Sequence, residues 1–185
     1  MPSRALLVID LLNDFLDQWD EDDRSVLLSL TNQLIDHFRG AGLPIFWVRQ
    51  EFEPDLGDAF LEMRKKDIRV TVRGTAGAEI HAELRRHETD QVIVEKRHSA
   101  FFRTHPETIL ERHGIDELTL AGINTHACIR MTAIDAYQRD FEVVIASDCV
   151  GSYDKRHEEM SLEYLDGKIA EVKSNSEIMS AISIS

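Results

Sequence analysis

The sequence predicts a three-layer α/β/α sandwich built on a Rossmann-like, six-stranded parallel sheet. Three observations carry that reading. Short continuous apolar runs, the mark of strands buried on both faces, alternate with segments of helical spacing. Each run stops at a turn residue or a polar residue. The 185 residues hold no repeat, low-complexity stretch or linker, so the chain reads as one domain over 1–185.

The first strand is 5–9, ending at Asp10. The stretch 11–19 is mixed, and 20–23 is densely acidic. Helical spacing runs over 25–39, with Leu27, Leu28, Leu34, Ile35 and Phe38 on the apolar side, and Gly40 and Gly42 end it. Pro44 introduces the second strand, 45–48. From 49 to 72 the pattern is weak and predicts mostly loop with a short helix over 58–66; long loops after such strands cover sites. Gly74 and Gly77 bracket a turn, and 79–86 reads as a short helix. The third strand, 91–95, stops at Lys96; Phe101 and Phe102 follow, then a helix over 106–113 halted by Gly114. The fourth strand, 118–121, turns at Gly122 into a helix reaching about Arg139, with Asn124 and Thr125 placed to cap it. A fifth strand at 142–146, a helix at 155–165, a sixth strand at 169–172 and a closing helix at 174–182 complete the pattern.

Composition narrows the function. Hydrophobic residues at 43% and charged residues at 30% are those of an ordinary globular domain. A net charge of −13 argues against nucleic acid and anionic membranes as partners but identifies no substrate, because charge on outer helix faces mostly serves solvation. Cys128 and Cys149 are the only cysteines and show no C-x-x-C spacing, so a disulfide framework or zinc knuckle is not expected and a reducing compartment fits. The apolar run near the N-terminus is too short for a signal peptide or membrane span, and the expected location is the cytoplasm.

Asp10, Lys96 and Cys128 each lie at or just after the C-terminal end of a predicted strand. In a parallel sheet those ends share one edge, where ligands bind. Cys128 falls in the first turn of its helix, where the dipole favours the thiolate and free N–H groups can bind a developing oxyanion. Alone it reads as a small buried apolar residue, as most free cysteines are. Delivery of an acid and an ammonium to the same edge shifts that reading toward a site; the other reading of Asp10 and Lys96 is a structural ion pair.

Several segments resemble the isochorismatase-like cysteine hydrolase superfamily. Asp10-Leu11-Leu12-Asn13-Asp14-Phe15 is similar to its D-x-x-N-D-F motif, and Gly74-Thr75-Ala76-Gly77-Ala78-Glu79-Ile80 to its G-T-x-G-x-E-I turn. Lys96 with Ser99-Ala100-Phe101-Phe102 resembles its K-x-x-S-A-F segment. Gly122, Thr125, Cys128, Thr132-Ala133 and Asp135-Ala136 resemble its Cys signature, and Asp148 matches the acid after strand five. The resemblance implies a catalytic triad of Asp10, Lys96 and Cys128. It also implies a cis peptide between Ile123 and Asn124, oxyanion-binding amides of Ala127 and Cys128, a sheet order of 3-2-1-4-5-6 and a homo-oligomer. Leu12 stands where many relatives have Gln, and Ile129 replaces Val. The Asp-x-His of metal-dependent nicotinamidases is missing after strand two, and the eight histidines lack ligand spacing, so neither metal nor cofactor is expected.

The activity implied is hydrolysis of a small amide or carbamoyl C–N bond through a Cys128 thioester. Isochorismatase-type cleavage of a vinyl ether and a non-catalytic thiol sensor or binding module are the alternatives. Phe15, Trp19, Phe101, Phe102 and His126 are the candidate substrate contacts. Arg49 or Arg73 offers a fork for a substrate carboxylate, surface salt bridges being their commoner use, and Cys149 reads as a buried residue.

Overall fold

The computed structural model describes residues 3–183. Strands β1 (Arg4–Ile9), β2 (Ile45–Gln50), β3 (Gln91–Glu95), β4 (Glu117–Ile123), β5 (Glu142–Gly151) and β6 (Glu171–Lys173) form one sheet. Every pairing is parallel, and the order is β3-β2-β1-β4-β5-β6. The predicted fold class is the one observed.

Alternation along β1 explains the two packed layers. Ala5, Leu7 and Ile9 face one core, shared with helices α4 (Glu107–Arg112), α5 (Arg130–Tyr137) and α6 (Lys155–Leu165). Leu6 and Val8 face the other, shared with α2 (Glu21–Gly40) and α7 (Asn175–Ser180). Buried on both sides, β1 must be apolar throughout, which is why it was legible as an uninterrupted run. A smaller cluster of Phe52, Leu56, Ala59 and Val72 fixes the loop after β2, which also carries the short helix α3 (Leu61–Lys66).

Several boundaries differ from the sequence reading for local reasons. Helix α2 begins at Glu21, inside the acidic patch, because Asp20 caps it by accepting from the Asp22 and Asp23 amides. Glu21, Asp22 and Asp23 then sit at the positive end of the helix dipole. The segment 79–86 is not helical. Ile80 pairs antiparallel with Leu12, and His81 N–H donates to Leu11 O, so its backbone is extended against the chain after β1. That chain turns into a short helix, α1 (Asn13–Leu16). Strand β5 runs past its expected end to Gly151 and so includes Asp148, with a register shift against β4 between Leu120 and Gly122.

The order in which strands are added reverses between β1 and β4, which run parallel, and a crevice opens at their ends. Gly122 lies opposite Ile9 there with φ +122°, and a Cβ on it would stand 1.9 Å from Ile9 O. Only glycine allows the two strands to meet at this point. Among the described residues no helix is long and apolar enough to cross a membrane.

Candidate active site

Asp10 follows β1 in a left-handed conformation (φ 55°) that Asp tolerates better than most residues. Its carboxyl group is completely buried, and Oδ1 accepts from the Gln50 amide at 2.7 Å. Glu95, the last residue of β3, is also completely buried. Cys128 sits in a single turn of π-helix, Thr125–Ile129, which links β4 to α5. Such one-turn widenings recur at functional sites because they re-aim one side chain. The peptide between Ile123 and Asn124 is cis. The Asn124 N–H donates toward the Cys128 sulfur. Donor atoms of Asp10, Glu95 and Cys128 all lie within 4.8 Å of one another.

Burial dominates the electrostatics. It pushes the Asp10 carboxyl up to about 6, against hydrogen bonds from Cys128, Glu95 and the Gln50 amide that favour ionisation. Burial raises Glu95 well above the usual carboxylate range, and the Asp10 charge raises it further. The Cys128 thiol is likewise held well above the ordinary value by burial and by the two nearby carboxyl groups. At rest the sulfur is therefore a neutral thiol.

Cys128 forms part of the wall of a cavity of about 420 Å³. Phe15, Trp19 and Tyr153 supply its aromatic surface; Gln50, Asn124, His98 and His126 supply polar groups. Asp10 and Glu95 lie behind the sulfur and do not line it. His98 Nδ1 stands 3.7 Å from Cys128 Sγ, and its ring stacks on Phe60 with centroids 4.8 Å apart. Burial lowers the His98 pKa, with help from His126 and Arg97, so this imidazole is neutral beside the sulfur. His126 accepts from or donates to Ser152 Oγ at 2.6 Å. Gly151 makes room for Trp19, since a Cβ there would come within 2.6 Å of its ring.

Comparison with known proteins agrees with this architecture. The model of the Isochorismatase domain matches residues 4–177. The chain belongs to the isochorismatase family. A probable inactive nicotinamidase from Arabidopsis thaliana is 31% identical over 158 residues, covering 80% of each chain. An isochorismatase family protein from Desulfovibrio vulgaris superposes with a TM-score of 0.88 at 26% identity, covering 98% of both chains. N-carbamoylsarcosine amidase from Thermoplasma acidophilum superposes with a TM-score of 0.78 at 27% identity, covering 95% of this chain and 97% of the other.

Within this isochorismatase fold one expected triad member is corrected. Lys96 does not face the sulfur. Its ammonium donates to Glu51 O at 2.6 Å and pairs with Asp58 at 2.9 Å. The reason is strand alternation: neighbouring residues point to opposite faces. Gln50 pairs in register with Glu95, so residue 95 faces Asp10 and the lysine beyond it turns toward the loop that carries Asp58. The side chain brought to Asp10 and Cys128 is thus a carboxyl group.

Other expectations divide. Phe15, Trp19 and His126 line the cavity. Phe101 instead packs in the core 6.0 Å from Phe141, and Phe102 is 42% exposed beneath Arg103. The Ala127 amide, expected to bind an oxyanion, donates to Asn124 O at 3.0 Å. Arg49 pairs with Glu51 at 2.7 Å and Arg73 with Glu53, and neither borders the cavity. Cys149 is buried and donates to Asn175. Sequence reasoning missed Glu95, His98, Gln50 and Tyr153. Counting inward-facing positions back along β3 was the signal that finds Glu95; His98 had no signal beyond lying two residues past Lys96.

Proposed function

We propose that this chain hydrolyses a small, uncharged amide or carbamoyl compound through Cys128. The observation that carries the reading is the position of the sulfur: of the three clustered groups only Cys128 borders the cavity, while Asp10 sits directly behind it. A substrate carbonyl in the cavity meets sulfur first, with a proton acceptor on the far side of the S–H bond.

The chemistry follows from that order. As sulfur attacks the carbonyl carbon, the thiol proton passes to Asp10. The Cys128 amide, in the helix-like turn after β4, is the oxyanion donor this reading assigns. Asp10 then returns the proton to the departing nitrogen, and the C–N bond breaks. Water, deprotonated by Asp10, cleaves the resulting thioester and restores the thiol. With no ammonium facing the sulfur, proton transfer and attack occur together rather than from a preformed thiolate.

Two features favour this over vinyl-ether cleavage. Vinyl-ether cleavage needs no nucleophile, and the group that borders the cavity is the Cys128 sulfur. None of the residues bordering the cavity is an arginine or lysine, which leaves a carboxylate-bearing substrate without a partner there. The N-carbamoylsarcosine amidase similarity supports the C–N class. The test is to incubate the protein with small amides, ureas and carbamates, measuring ammonia and the intact mass. Ammonia release with a transient acyl adduct, both abolished in Cys128→Ala, is expected. Turnover that survives Cys128→Ala, or a thiol that reacts with oxidants while no substrate turns over, overturns the reading.

A further inference from the structure

Asp10 and Glu95 hold two enclosed carboxyl groups against each other with no cation between them. Asp10 Oδ2 and both Glu95 oxygens, taken as ionised, find no donor anywhere among the described residues. The Gln50 amide from β2 is already used by Asp10 Oδ1. From the segment after β3, Lys96 turns to Asp58, Arg97 donates to the Asp58 and Lys96 carbonyls, and His98 faces the sulfur. From the turn after β4 come the Cys128 thiol and the Asn124 amide directed at it, with His126 turned to Ser152. Two carboxylates enclosed without a counter-ion, three of their four oxygens without a partner, repel each other and lack solvation. One proton held between them supplies the missing donor.

We propose that Glu95 keeps a proton at neutral pH, donates it in a hydrogen bond to Asp10, and as a positioning residue sets how readily Cys128 gives up its own proton. When the thiol reacts, its S–H bond breaks and an O–H bond forms on Asp10. The single negative charge moves from carboxylate to sulfur, and Glu95 retains its proton throughout. Ionisation of Glu95 would add a second negative charge and hold the proton on sulfur more tightly. A cation at residue 95 would do the opposite. The catalytic consequence rests on the cysteine-hydrolase reading above; the protonation state does not.

The experiment is substrate-free, so it separates the two. Cys128 alkylation by iodoacetamide is followed across pH in the full chain, with peptide mass spectrometry distinguishing it from Cys149. Glu95→Gln imitates the protonated acid. It should match the wild type within about twofold near neutral pH. Glu95→Lys should react about tenfold or more faster than the wild type at pH 7. A Glu95→Gln variant about tenfold or more faster than the wild type at pH 7 overturns the proposal, because Glu95 then carried a charge there, as does a folded Glu95→Lys that is no faster. Infrared spectroscopy gives an independent reading should the lysine variant not fold: a protonated-carboxyl band at neutral pH, lost in Glu95→Gln, is expected. Its absence, or protection of Cys128 by stoichiometric Zn²⁺ in place of that band, means that something other than a proton neutralises the pair and refutes it.

Discussion

The buried carboxyl pair should make this protein less stable as pH rises through the mildly acidic range, and replacing both acids by their amides should remove that loss. Asp10 moves from an ordinary value of 3.8 to about 6 on folding. A rise of about 2 units is worth about 3 kcal/mol between the two protonation states. The sign follows from proton uptake: between pH 4 and 6 the folded state holds a proton at Asp10 that the unfolded chain has released, so stability falls as pH rises. Below about pH 4 the contribution is fully present, and it is lost as pH climbs through the folded value. Glu95 shifts in the same direction and extends the loss to higher pH. The double variant Asp10→Asn, Glu95→Gln keeps an acceptor for the Gln50 amide and has nothing to ionise. Urea unfolding of both proteins from pH 4 to pH 8 should show the variant gaining on the wild type by about 3 kcal/mol from the Asp10 term alone, since background carboxylates cancel in the difference. Two curves that stay parallel across this range would refute the reasoning, because they would mean the pair titrates as if in water.

Other perturbations test the frame and the corrected triad. Gly122→Ala places a Cβ 1.9 Å from Ile9 O at φ +122°, and thermal unfolding should show a loss on the order of 3 kcal/mol or more, the range of severe backbone clashes. Lys96→Met removes a partly exposed pair with Asp58 and the bond to Glu51 O, so unfolding should move by about 2 kcal/mol at most. Cys128 alkylation should be unchanged in the same variant; a large fall in thiol reactivity would restore Lys96 to the site.

The legible part of this protein was what a one-dimensional pattern can carry. Strands buried on both faces must be apolar throughout, so β1 and β4 stood out, and their ends located Asp10 and the Cys128 segment. The motif resemblance supplied the sheet order, and the structure has it. Where a segment's conformation depends on what it lies against, the pattern misled. The helical spacing of 79–86 gave way to pairing with Leu12, and the adjacent Phe101 and Phe102 went one to the core and one to the surface.

The sequence by itself determined the layers, the edge at which chemistry gathers, and that an acid and a thiol meet there. Tertiary structure alone decided which member of the Glu95-Lys96 pair joins them. Adjacent residues at the end of a strand point opposite ways, and the choice is made by the register of β3 on β2 and by Asp58 waiting for the ammonium. A shift of one residue would have put a cation beside the sulfur; the observed register puts a buried acid there.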